Sequence, residues 1–130
     1  MIANRDDMPD KLQAQHAFWS GFSWPAYDES SVPDGAKFPY ITYEAGDFFF
    51  EDGERQLSAS LWTRSTSWSS VIAKSQEIAD AIDRGSGICL PCKGGNLRIY
   101  RGTPWAQRMG DPADGSIRRI VLTIYMESNV

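Results

Sequence analysis

The stretch Ile117–Glu127 constrains the fold more than any other part of this chain. On an extended backbone Ile120, Leu122, Ile124 and Met126 fall on one side, and Val121, Thr123 and Tyr125 on the other. Both sides carry apolar groups. A strand of that kind belongs in the middle of a sheet, with layers to cover it.

Several segments can supply its neighbours. Tyr40–Ala45 alternates, with Tyr40, Thr42 and Glu44 opposite Ile41 and Tyr43, and Pro39 sits at its mouth, where no ladder donor is needed. Leu57–Arg64 alternates in the same way, with Leu57, Ala59 and Leu61 against Ser58, Ser60, Trp62 and Arg64. The EDGE stretch at 51–54 is a tight-turn signal, so these two strands are expected to run antiparallel. Between them stand Phe48, Phe49 and Phe50. Three rings in a row cannot all face one core from a strand, so at least one is expected to point outward, at a hairpin crest or an interface. Gly87–Cys92 and Leu97–Arg101 are shorter strand candidates, joined by the turn Gly94-Gly95-Asn96.

Two helices are expected. Asp10 can cap the first, in which Leu12, His16, Trp19 and Phe22 form an apolar stripe against Lys11, Gln13 and Gln15. The second carries Trp68, Val71, Ile72, Ser75, Ile78, Ala79 and Ile82, with Ser65-Thr66-Ser67 as hydroxyl caps before it and Arg84 and Gly85 at its end. Ser23–Lys37 and Gly102–Ser116 read as long loops. The expected fold is therefore α+β: one small domain over residues 1–130, with a mainly antiparallel sheet of four to five strands and two helices packed on one face. Residues 1–8 are expected to fray.

The residues argue against several kinds of chemistry. The net charge of −4 is wrong for a nucleic-acid module, and Arg98, Arg101, Arg108, Arg118 and Arg119 form only a local cluster, read as solvated strand and loop charge. No apolar run of about 20 residues is present, so no membrane span is expected. The N-terminal MIANRDDMPD has no apolar signal region, and the protein is expected to start life in the cytosol. His16 is the one histidine, and it has neither a nucleophile nor a ligand cluster near it in sequence. Cys89 and Cys92 form a lone C-L-P-C, too few ligands for zinc and misplaced for a redox motif, so they are read as small buried or loop thiols. No catalytic residue, cofactor or metal is expected. By contrast, the five Trp, five Tyr and six Phe must build much of the core, and they either fill it entirely or leave some rings exposed at an interface, where rings are enriched.

One constellation resists a purely structural reading. Arg101, Trp105, Arg108, Met109, Asp111 and Asp114 lie within or beside one loop between strands. A large anchor, cations and acids together make the composition of an interface hot spot. A self-packed Ω-loop, or a small-ligand or hydrolytic site built on Asp111, Asp114 and Arg108, are the alternatives.

VPDGAKFPYITYE (Val32–Glu44), SLWTRSTSW (Ser60–Trp68), KSQEIADAI (Lys74–Ile82), RIYRGTPWAQRMGDPADGSIRRI (Arg98–Ile120) and the closing strand resemble the tail terminator (tail completion) proteins of siphophages and prophages. The resemblance runs from about residue 9 to the end. It implies an α+β subunit of a hexameric ring that caps the last ring of the tail tube, stops its growth and offers a surface to the head connector. It implies a place in the virion, at the head-proximal end of the tail, after assembly in the host cytoplasm. Another neck or head-tail adaptor is the near alternative. The family offers no catalytic residues, so only contact segments carry over: the crest Phe48–Phe50 and the stretch from Trp105 to Asp114. The C-L-P-C departs from the pattern.

Overall fold

The closing strand takes the central place expected of it. The protein is described by a computed structural model that covers residues 8–47, 52–82 and 85–130. The elements run α1 (Lys11–Ser20), β1 (Ala26–Asp28), β2 (Tyr40–Tyr43), β3 (Glu54–Arg64), α2 (Ser69–Ala81), β4 (Ile88–Cys92), β5 (Gly95–Gly110) and β6 (Ile117–Asn129). They make one sheet in the order β1-β2-β3-β6-β5-β4, antiparallel throughout except for the β1–β2 pair.

Register fixes which side chains meet. Leu57 lies opposite Ile124, Ala59 opposite Leu122 and Leu61 opposite Ile120. Paired residues of an antiparallel ladder project to the same side. This inner face is the core, where Leu61, Leu122, Ile41, Leu97 and Ile99 have no exposed surface. Both helices lie on it, as expected: α2 touches β3 and β6, while α1 touches β1 and β4. Because β1 and β4 are the two ends of the sheet, the sheet curls and α1 fills the gap between its edges. Trp19 of α1 is buried there, stacked on Tyr43 with ring centroids 6.2 Å apart, and Phe18 meets Trp19 and Phe22 edge-on.

The face that α1 buries departs from the expected stripe. Gln15 is fully buried, while Leu12 is 46% exposed. Gln15 Nε2 donates to the Gly46 carbonyl at 2.6 Å, and Gln15 Oε1 accepts from the Gly46 N–H at 2.8 Å. The side-chain amide thus stands in for the strand partner that Gly46 lacks after β2 ends. A hydrophobic count cannot see this, because the buried position is polar and satisfied. His16 is exposed, with Nδ1 3.0 Å from the Tyr43 hydroxyl and Nε2 3.2 Å from Ser20 Oγ. The cap at Asp10 is as expected, and Gln13 completes a capping box.

Other differences concern the loops. The segment Ser23–Lys37, expected as one loop, contains β1, so the sheet has six strands. The segment Gly102–Ser116, also expected as a loop, is mostly strand, since β5 continues to Gly110 and leaves only a short turn before β6. Before α2, Ser67 Oγ accepts from the Ser69 N–H at 3.1 Å. Phe48, Phe49, Phe50, Glu51 and Arg84 lie outside the described residues, as do residues 1–7. Cys89 and Cys92 belong to β4, an edge strand on which Pro91 is tolerated. Three apart on a strand, they project to opposite faces, with Cys89 exposed and Cys92 buried. Burial pushes the Cys92 thiol up, away from the reactive thiolate.

Gln15→Ala should cost about 1–3 kcal/mol, because it leaves both polar groups of buried Gly46 without partners. Leu12→Ser, on the exposed side of the same helix, should shift stability by no more than about 0.5 kcal/mol. Urea denaturation of the two variants measures the contrast, which the apolar-stripe reading would reverse.

Candidate interaction site

The β5–β6 hairpin holds most of the residues singled out in the sequence. Its geometry starts from a bulge. Arg101 pairs with Ile124 and Ala106 with Leu122, so Gly102, Thr103, Pro104 and Trp105 stand opposite Thr123 alone. At Gly102 the backbone passes so close to β6 that an added Cβ would lie 2.6 Å from the Thr123 carbonyl oxygen, which leaves room only for glycine. The bulge re-aims the rest of the strand. Trp105 is half-buried against the core, with its Nε1 buried and unpartnered. It is a packing residue of the domain. Beyond it, Ala106–Gly110 is exposed.

The turn is held by its own carboxylates. Asp111 Oδ1 accepts from the N–H groups of Ala113 at 2.8 Å and Asp114 at 3.2 Å. Asp114 Oδ1 accepts from the Ser116 N–H at 2.9 Å and its hydroxyl at 2.7 Å, while Oδ2 accepts from Arg64 Nη1 at 2.6 Å. Those bonds to Ser116, and then the one from Arg64, lower the Asp114 pKa to about 2. Arg108 is drawn elsewhere, its guanidinium carbon 5.4 Å from the centre of the Trp68 ring, with Arg118 5.5 Å from the same ring. Arg118 also donates to the Gly115 carbonyl. Among the described residues no bond joins Arg108 to Asp111 or Asp114, so the trio of the ligand reading does not meet as a cluster.

The outer face of the sheet carries a ladder that alternation alone does not assemble. Arg119 lies 4.5 Å above the Trp62 ring and donates from Nε and Nη2 to Ser60 Oγ at 3.1 and 3.0 Å. Trp62 stacks on Tyr40 at 6.1 Å and donates from Nε1 to Thr42 Oγ1 at 2.9 Å. Tyr40 meets Tyr27 and Phe38, and Arg64 lies 5.0 Å above Phe38. Arg119 is held by a ring and a hydroxyl, so its charge is fixed at this place on the outer face. Beside it a depression of about 190 Å³ is lined by Trp62, Met109, Asp111, Pro112 and Arg119, among others. Met109 is 46% exposed there and sits across from Arg119. The signal is present in the alternation of Tyr40, Trp62 and Arg119 with core residues, but only strand register brings the three into one row. Arg101 lies half-buried at the last pair before the bulge.

Fold and surface together define a single α+β domain with one helix-covered face and one face that carries the Tyr40–Trp62–Arg119 ladder. The same fold occurs in a chain of the "Virion of native gene transfer agent (GTA) particle", with a TM-score of 0.58 and 18% identity over 89% of this chain and 87% of that chain. At that identity the likeness is one of fold. No family model matches this chain, and no curated protein matches it either.

The Asp114 carboxyl should titrate near pH 2, below its ordinary 3.8. Its folded pKa is the lower one, so the stability it lends is complete above the ordinary carboxylate range and is lost as pH falls from 3.8 toward about 2. Ser116→Ala, which removes the hydroxyl donor, should move the midpoint back toward 3.8 in an NMR titration of the carboxyl carbon.

Proposed function

We propose that this chain is a structural subunit of a phage-like particle and, within that class, a tail terminator. The observation that carries the class is the likeness of fold, over nearly all of both chains, to a chain of a gene transfer agent virion. The narrower role rests on the resemblance of Val32–Glu44, Ser60–Trp68, Lys74–Ile82 and Arg98–Ile120 to tail terminators. In this reading the subunit closes into a homohexameric ring through heterologous contacts. The ring caps the tail tube protein, stops tube growth and presents a surface to the head-completion or connector protein. The work is done by binding, and no residue is assigned a catalytic role.

The outer ladder and the exposed end of the β5–β6 hairpin fit such contacts. Desolvated rings and arginines are the residues that dominate binding energy at interfaces. The ladder is held in place before any partner arrives, which lowers the entropy lost on docking.

Particles produced without this protein should carry overlong tails that do not join heads, as seen by negative-stain microscopy. Tails of normal length that fail to join heads would point instead to a neck adaptor, and normal particles would overturn the structural reading. Arg119→Ala should cost about 1–2 kcal/mol in urea, through the lost Ser60 bonds and Trp62 contact, without unfolding the chain, yet abolish complementation. Trp105→Ala is a poor probe of assembly, because it opens the core.

A further inference from the structure

One strand edge in this fold is open and has unlike side chains on its two sides. β5 pairs with β4 from Gly95 to Ile99. Past Ile99 that partner has ended, and Ala106–Gly110 pairs with β6 alone. Every residue from Ala106 to Gly110 is exposed, and no other backbone hydrogen bond reaches them among the described residues. In an antiparallel pair alternate residues turn their N–H and C=O groups away from the neighbour, so this stretch presents such groups to solvent. Sheet edges are commonly blunted by proline or by shortness. β4 is blunted in that way, with Pro91 in a strand of five residues, whereas Ala106–Gly110 has no proline.

The two sides of the edge ask for different groups. On the helix-covered side Arg108 lies across from Ile120 and shares Trp68 with Arg118. Neither arginine has an acidic partner among the described residues. On the outer side Met109 is exposed, beside the depression of about 190 Å³ that Trp62, Pro112 and Ile117 help to line. An extended chain laid along the edge puts its residues alternately on these two sides. A carboxylate suits the first side and an apolar group the second.

A second copy of this chain does not meet that description. Two-fold pairing of the stretch with itself, centred on Gln107, Arg108 or Met109, sets the two Arg108 side chains on one side of the sheet, directly opposite or one diagonal apart. Like charges so placed repel. The other edges of the sheet offer no substitute. β1 is three residues long, with Ala26 buried and α1 packed against the strand. β4 also has α1 against it, and it carries Pro91 and no acid.

We propose that the free edge at Ala106–Gly110 docks an extended segment of another protein. That segment adds a strand to the sheet, with acidic residues toward Arg108 and Arg118 alternating with apolar residues toward Met109. Main-chain hydrogen bonds supply the attachment, and the unlike sides set which strand fits and in which register. The site is independent of the terminator role.

The test uses the full chain and a short peptide of alternating valine and glutamate, with the valine–lysine counterpart as control. Calorimetric titration should give the glutamate peptide a Kd of about 0.1 mM or tighter, and the lysine peptide should bind at least about tenfold more weakly. With the glutamate peptide at least about tenfold above its Kd, the outward amides of Ala106–Gly110 should exchange at least about tenfold more slowly than in free protein. Arg108→Glu should weaken the glutamate peptide at least about tenfold and strengthen the lysine peptide, a gain that a misfolded variant cannot mimic. Equal or absent binding of the two peptides overturns the proposal. So does binding that leaves exchange at Ala106–Gly110 unchanged, or an Arg108→Glu variant with unaltered affinities. Slowed exchange there on concentrating the protein alone, with a matching rise in mass by light scattering, overturns it too, since the edge then holds a second copy. The terminator role is judged separately, by the length of tails made without the protein.

Discussion

A sheet with one apolar face has to close over something, and here it closes over α1. The helix sits between β1 and β4, the two ends of the sheet, so its seating decides how tightly six strands curl. Trp19 stacked on Tyr43 supplies the apolar part of that seat, and the Gln15 amide clasping Gly46 supplies the directional part. The first gives most of the burial, since fully covering a large aromatic removes roughly 150–250 Å² from water. The second gives uniqueness, because a buried amide with two backbone partners has one acceptable position. With the curl set, the inner face is filled by α1 and α2, and the outer face is left to Tyr40, Trp62 and Arg119.

That division of labour explains why the outer face can be polar and still ordered. The arginines on and beside the hairpin are not loose surface charges. On the outer face Arg119 is tied to Ser60 and spread on Trp62, and Arg64 is tied to Asp114 and Phe38, while on the other side of the sheet Arg108 and Arg118 share Trp68. Each loses side-chain freedom during folding, so little remains to be lost when a partner binds. A chain with net negative charge thus keeps a positive, aromatic surface at one end of its sheet.

Much of this is legible in the amino acids. Alternation in Ile117–Glu127, Leu57–Arg64 and Tyr40–Ala45 identifies three adjacent strands, and the periodicity after Trp68 identifies α2. The features that escape have local causes. Gln15 looks like a solvent residue because its partner, Gly46, is 31 positions away. β1 is three residues long and parallel to its partner, so it has neither the length nor the hairpin signal that marks a strand. The second half of β5 resembles a loop because Gly102 and Pro104 look like turn residues, whereas they belong to a bulge within a continuing strand. The outer ladder needs register, which sequence periodicity does not give. Of the candidate site, the hairpin residues stand out in the sequence, but their roles divide differently in the fold: Trp105 turns inward, Asp111 and Asp114 shape the turn, and Arg108 and Met109 remain at the surface.

The bulge at Gly102–Trp105 also separates two mechanical tasks within one strand. Side chains along an unbroken strand are locked in step, so lengthening it by one residue would turn Leu97 and Ile99 out of the core or flip everything beyond them. Of the four residues facing Thr123 alone, Gly102 and Trp105 are held by close packing, so a change of length falls on the exposed Thr103 and Pro104. The hairpin tip can therefore be lengthened, shortened or rotated by edits at Thr103 or Pro104 while the core half keeps its alternation. The joint behaves like an adjustable coupling, through which the pitch of the hairpin tip can be tuned against a fixed body.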